Sequence, residues 1–428
     1  MQTKPYFSSL IAGLVGTALE WYDYALFGFL APVLAHLFFP RQQAWRSLLL
    51  SFMVFAIGFF LRPLGGMIFG SIADRHGRVV ALRSTILLIS IPSFLIACLP
   101  TFALIGWFST SLLILLRLLQ GFSVGGEFAG SMVYLTEIAS PRYRALLSGL
   151  ANNASNIGVL FGVGFCSLLT SIMSPAWFNK IGWRIPFLVG SILGFLAYKL
   201  RKIFIESRLF LEVQAQNKLQ IQPLRYLIHT NWRLLILGIF LCAMGACGIY
   251  TLTVYLDTYL IVVKSYSLNS ALTLQSLLLI LTLILVPIAS LISNYVSPIK
   301  LLKIAVIGNM LFAILIFAYL PKNHIIVVGW LLIPLIIFIS IEQGIMPSVL
   351  TSLFPTEVRY SGVSISYNIS YAYIGGATPM YLTALINKFH YVAIPGFCLA
   401  FAALITGFAL LKLFPQPYFS RATSFQNA

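Results

Sequence analysis

Apolar residues run along this chain in blocks of about twenty, the length at which an α-helix spans the hydrocarbon core of a bilayer. Twelve blocks can be placed, centred near Gly16, Phe60, Ser90, Gly121, Ala154, Ser191, Gly245, Ile280, Met310, Ile341, Tyr371 and Ala402. The first is no cleaved leader, because acidic and aromatic residues interrupt it and no small-residue cleavage site follows. One long hydrophilic stretch, at about 199–230 and rich in Lys, Arg, Gln and Glu, leaves six blocks on either side. The pattern predicts an all-α membrane protein: a six-helix bundle over residues 1–198, a cytoplasmic connection over 199–230, a second six-helix bundle over 231–414, and a short cytoplasmic tail over 415–428. A faint repeat supports the division. Glu127, Thr136, Arg144 and Asn153 recur as Glu342, Thr351, Arg359 and Asn368, each 215 positions later.

Composition removes the soluble alternative, since 60% of the 428 residues are hydrophobic and only 9% charged. Alternating the connections across the membrane puts eighteen of the 27 Lys and Arg residues on the side of the N-terminus. Seven fall opposite, among them Arg41 and Arg46, and Arg62 and Arg117 stay inside helices. That excess predicts both termini in the cytoplasm. The net charge of +17 then reflects topology and contact with anionic lipids, not nucleic-acid binding. Cys98, Cys166, Cys242, Cys247 and Cys398 lie in apolar surroundings without metal-ligand spacing and read as buried free thiols. The five histidines form no cluster. The residues point to no enzyme, no metal and no cofactor.

Between the second and third blocks stand Gly70, Asp74, Arg75, Gly77 and Arg78, in the order Gly-x-x-x-Asp-Arg-x-Gly-Arg. Small residues allow close helix approach, and charge beside oily helices marks a short loop at the membrane surface. The pattern resembles the signature of the major facilitator superfamily of transporters. Further runs narrow the resemblance: Leu19-Glu20-Trp21-Tyr22-Asp23-Tyr24, Arg62-Pro63-Leu64-Gly65-Gly66, Arg117 to Glu127, Gly182-Trp183-Arg184-Ile185-Pro186-Phe187, and Phe354-Pro355-Thr356 with Val358-Arg359-Tyr360-Ser361. Together they are similar to the metabolite:proton symporter family, whose members include proline/betaine, α-ketoglutarate, citrate and shikimate transporters. The resemblance implies two bundles around a central cavity, a bacterial inner-membrane location, and small-molecule solutes and protons as partners of a monomer. It also implies that Gly70, Asp74, Arg75, Gly77 and Arg78, with Arg144 and Arg359, form a conformational latch. The second half, reading Ser293-Asn294-Tyr295-Val296-Ser297-Pro298, lacks the counterpart signature, and the tail lacks the coiled coil of some osmosensing members.

Of ten acidic residues, Glu20, Asp23, Glu127, Asp257 and Glu342 lie inside predicted helices, facing Arg62 and Arg117. An ionised group at that depth costs about 2.5–3.5 kcal/mol on insertion scales, so each should meet a partner or water. Five carboxylates against two guanidiniums are least costly when one or more carries a proton, which is the basis for expecting proton coupling. Asp23 and Glu20, three residues apart on one helix face, are the leading carriers; a fixed ion pair with Arg117 is the competing reading. Glu127 and Glu342 are further candidates for titration, or for bonds to neighbouring helices. Arg117 is the expected solute anchor, because its planar fork matches a carboxylate, unless it is held in a structural pair with Asp23 or Glu127. Tyr24, Tyr255, Tyr367 and Tyr371 could add ring faces for a quaternary ammonium, or serve only as packing.

The expected activity is proton-coupled symport of a zwitterion or small carboxylate by alternating access. A proton-driven exporter and a non-transporting sensor on the same fold are the alternatives. The costly buried charges speak against the sensor.

Overall fold

A computed structural model describes residues 3–39, 57–322 and 324–413. The tail at 415–428 and the segment bearing Arg41 and Arg46 lie outside the described residues. Among the described residues twelve main helices follow in chain order. They are α1 (Thr3–Phe38), α2 (Arg62–His76), α3 (Arg78–Cys98), α4 (Trp107–Ile138), α5 (Arg144–Ile172) and α6 (Arg184–Leu200). Then come α7 (Trp232–Val263), α8 (Leu268–Ile292), α9 (Pro298–Tyr319) and α10 (Ile325–Leu353). The last are α11, running as Arg359–Ile369, Ser370–Gly375 and Thr378–Phe389, and α12 (Ile394–Leu413). Among the described residues no strand occurs. The connection after α6 carries two short helices, Arg208–Ala215 and Pro223–Thr230.

Among the described residues eight helices, α3 to α5, α7 to α10 and α12, are long and apolar enough to cross a membrane. The bent pair Pro175–Gly182 and Arg184–Ile203 makes a ninth. The other three, α1, α2 and α11, carry Glu20, Asp23, Arg62 and Asn368. α12 shows why such helices suit an apolar solvent. Phe397, Phe401, Leu404, Phe408 and Leu411 recur at helical spacing on its exposed side, while Leu399, Ala402, Ala403 and Leu410 are buried on the other. A helix apolar on both faces belongs in lipid.

Two compact units emerge, and they follow packing rather than chain order. One joins Met1–Ile138, Asn153–Arg225 and Thr356–Ser364; the other joins Ala139–Asn152, Tyr226–Pro355 and Ile365–Ala428. In the first unit α4 meets α2 and the helical turn just before it, at 57–60, along glycines. A Cβ on Gly121 would collide with the Gly58 carbonyl, one on Gly125 with that of Arg62, and one on Gly65 with that of Phe122. Tyr22, Phe27, Phe38, Trp183 and Phe187 form its aromatic core, with Trp183 edge-on to Phe38 at 5.4 Å. The Tyr22 hydroxyl donates to the Pro186 carbonyl at 2.9 Å.

In the second unit Asn152 donates to the Gln343 carbonyl at 2.6 Å, and Gly149 sits against Ser290 and Gly344. Two of its helices leave α-helical geometry. α7 is π-helical over Tyr250–Tyr255 and Tyr259–Val263, and α11 over Ser370–Gly375. All five cysteines are free, but Cys98 is exposed and Cys398 half-buried. Cys98 closes α3, so its apolar surroundings in sequence did not translate into burial.

Candidate functional site

In the first unit a chain of hydrogen bonds joins the two residues that sequence singled out most strongly. Arg117 Nη1 donates to Gln120 Oε1 at 3.3 Å. Gln120 Nε2 donates to Ser93 Oγ at 2.9 Å, and the Ser93 hydroxyl donates to Asp23 Oδ2. Every donor points the same way, towards the carboxylate, so the bonds polarise one another. All four side chains are buried. The local cause is simple. Gln120 lies one turn beyond Arg117 on the same face of α4, and Gly190 of α6 leaves room for Asp23, since a Cβ there would stand 2.5 Å from Oδ1. The Arg117 guanidinium lies over the rings of Phe27 at 4.1 Å and Tyr24 at 4.9 Å. Tyr24 in turn meets Phe59 at 5.0 Å and Trp21 at 5.8 Å. A planar cation is thus framed by aromatic faces, with an acid three hydrogen bonds away.

Glu20 looks elsewhere. It is buried, both its oxygens lack a hydrogen-bond partner among the described residues, and the charges acting on it are Arg62, Glu127 and Arg201. Glu127 is held by Arg201 in an ion pair of two contacts, one of them 2.7 Å, and accepts from the Thr85 hydroxyl at 2.5 Å. Arg201 also donates to the Leu82 carbonyl. Sequence reading missed Arg201, which counted there as one more basic residue at a helix end, yet it is fully buried. A third guanidinium therefore faces the intramembrane acids. Ser93, Gln120 and Thr85 were also missed. Polar residues within apolar blocks were the available signal.

The tyrosines predicted for the solute divide. Tyr24 belongs to the first unit beside Arg117. In the second, Tyr367 and Tyr371 stack at 3.9 Å and 22°, while Tyr255 packs near Tyr259 at 6.5 Å. Glu342 of α10 is fully buried near Gly245 of α7.

The glycine-aspartate-arginine signature builds a separate cluster in the first unit. Asp74 accepts from the backbone N–H groups of Tyr360 and Ser361 at 3.2 and 2.9 Å, capping the start of α11. Arg78 pairs with Asp74 at 2.7 Å and with Glu137 at 3.2 Å, and donates to the Thr356 carbonyl at 2.8 Å. Arg359 reaches Glu137 at 2.9 Å. Gly70 packs on Ser361, where a Cβ would stand 2.7 Å from Cα. Gly77 has φ 110°, left-handed backbone that favours glycine. The Glu206 carboxylate accepts from the N–H groups of Arg78 and Val79 at 3.1 and 3.2 Å, closing the N-terminus of α3. Arg75 stands exposed beside the cluster, and Arg144 opens α5 in the other unit. Glu137 and Glu206 lay outside the signature, which gave no hint of them. Among the described residues no three His, Cys, Asp or Glu side chains gather as metal ligands would.

With this geometry in place, comparison with known proteins is informative. A model of the Major Facilitator Superfamily matches residues 13–380. The chain is 30% identical over 392 residues to the citrate-proton symporter of Klebsiella pneumoniae, covering 91% of this chain and 87% of that one. It is 30% identical over 421 residues to the proline/betaine transporter of Salmonella typhimurium, covering 96% and 84%. In fold it is similar to the proton:xylose symporter XylE, with a TM-score of 0.80, 18% identity, and coverage of 97% of this chain and 96% of that one.

Proposed function

Because the chain belongs to the Major Facilitator Superfamily, we propose that it is a secondary active transporter that couples protons to the movement of a small organic solute by alternating access. The observation that carries this reading is the one-way hydrogen-bond chain from Arg117 through Gln120 and Ser93 to Asp23. Asp23 takes the proton. Protonation turns an acceptor into a hydroxyl donor, so the Ser93 hydroxyl turns its proton to the Ile89 carbonyl 3.0 Å away, and the loss of that polarisation reaches Arg117 through Gln120. Arg117 holds the solute carboxylate through its planar fork. Solute and proton are thereby sensed by one polar thread. A membrane potential of 100 mV supplies about 2.3 kcal/mol per charge moved, about a fiftyfold concentration ratio.

The solute class follows from what surrounds the cation. Tyr24, Phe27, Trp21 and Phe59 offer ring faces, and cation–π contact with a quaternary ammonium is worth up to about 2 kcal/mol when desolvated. The middles of the second-unit helices contribute no basic residue that a tricarboxylate would need. A zwitterion of the proline/betaine kind suits this set best, the solute in the name of one relative; a small monocarboxylate is next. Glu127, tied to Arg201, serves packing. The bonds around Asp74, Arg78, Glu137 and Arg359 act as a latch that must open in each cycle. The bacterial relatives support a location in a bacterial cytoplasmic membrane, and the excess of basic residues on one side supports both termini inside.

The test is uptake by the purified protein in liposomes. An inward proton gradient should accelerate accumulation of labelled proline or betaine, and Asp23→Asn should reduce accumulation to simple equilibration while sparing solute exchange. Gradient-driven accumulation that survives Asp23→Asn would remove the coupling role from Asp23.

A further inference from the structure

Glu342 sits within α10, fully buried, and both its carboxylate oxygens lack a hydrogen-bond partner among the described residues. Its seat is shaped around the carboxyl. Gly245 of α7 comes so close that a Cβ there would collide with both oxygens. Two titratable groups lie within electrostatic reach: the Cys242 thiol of α7 and the Tyr371 hydroxyl of α11, which neighbours that of Tyr367. The other helices packed on α10 bring no charge to this seat, and α5 meets α10 through the neutral Gly149 and Asn152. α8 bears no titratable side chain along its length. The lysines of α9, Lys300 and Lys303, lie in its first two turns, and its buried mid-helix polar residue is the neutral Asn309. No charged group among the described residues acts on Glu342. An anion with neither counter-ion nor donor is strongly disfavoured there, whereas the neutral acid can be held.

The backbone beside this seat is not ordinary α-helix. The π-helical segment of α7 begins at Tyr250, a little over one turn past Gly245, and that of α11 contains Tyr371. The two segments touch, since a Cβ on Gly375 would stand 2.7 Å from the Tyr250 ring. Single π turns inside α-helices recur at functional sites because their looser bonding permits local rearrangement.

We propose that Glu342 is a second proton-binding site, built by the second unit alone. A proton delivered by water forms the O–H bond of the acid. When the proton leaves to water, the carboxylate takes the Tyr371 hydroxyl as its donor, and the π segments of α7 and α11 shift to allow it. Each cycle then moves one proton more than Asp23 alone would carry. This last consequence rests on the proton-coupled reading; the binding of the proton does not.

Difference infrared spectra of the lipid-reconstituted protein, taken between acidic and alkaline buffer, test the site without any solute. The carbonyl band of a protonated carboxylic acid should appear in acid, vanish in Glu342→Gln, and change frequency in Glu342→Asp. Tyr371→Phe should shift the pH midpoint of that band and leave its intensity. Identical spectra for the native protein and Glu342→Gln would overturn the proposal. In liposomes, the proton-to-solute ratio measured from flux reversal should fall by one proton in Glu342→Gln. A band lost with the ratio unchanged would mean that the proton never leaves during transport, which overturns the carrier role. A native protein indifferent to any proton gradient would instead refute the symport reading while the infrared result stood.

Discussion

Ser93 is the narrowest point of the link between acid and base, because one hydroxyl both accepts from Gln120 and donates to Asp23. Ser93→Ala leaves two buried polar groups short of a partner, a cost of about 1–3 kcal/mol for each group left unsatisfied. The variant should fold and exchange solute, yet accumulate it poorly against a gradient; Ser93→Thr should restore most of the accumulation, read in the same liposome assay. Normal accumulation by Ser93→Ala would mean that Asp23 and Arg117 communicate by another route. These residues also show what the sequence could reveal. Asp23, Glu20 and Arg117 stand out because ionised groups at bilayer depth are rare and costly. Ser93 and Gln120 do not, since neutral polar side chains are common in such helices and their value lies in a register between α3 and α4. Arg201 was hidden differently. It follows a predicted helix end, where a basic residue reads as topology, and its partner Glu127 is 74 positions away.

Among the helices, the seam that α4 makes with α2 and the turn before it depends on the absence of side chains. Gly121 faces a backbone carbonyl of Gly58, which cannot swing away as a flexible side chain could. Gly121→Ala should therefore destabilise by about 1–3 kcal/mol or more, lowering the detergent melting temperature. Gly28→Ala is the control, because nothing lies within 4 Å of its Cβ position. An unchanged melting temperature for Gly121→Ala would show that the seam opens freely. The helices themselves were legible from apolar runs alone, since a bilayer imposes length and composition on any span. The π segments of α7 and α11 were not, because one extra residue in a turn leaves no mark on hydropathy.

Across the whole molecule, the nine residues Thr356–Ser364 are held in the first unit by Asp74, Arg78 and Glu137. The signature exposed the first two of these in sequence; Glu137 needed the fold. Glu137→Gln strips Arg78 and Arg359 of a shared carboxylate, and breaking a buried pair in this way costs about 3–5 kcal/mol. Ser361→Cys placed in that background should react with a thiol reagent several times faster than in the native background. Equal rates would show that the ion pairs do not govern release of the segment. Glu206 adds a different constraint. It arises after α6, but its carboxylate is committed to the opening N–H groups of α3, while Gln216, Asn217 and Lys218, just beyond Ala215, stand exposed. A version of the chain expressed as two fragments can thus be divided within 216–222 and keep that acid on the same polypeptide as the helix it closes. Dividing it before Phe204 would hand the acid to the other fragment, and the start of α3 would have to recruit it from a separate molecule.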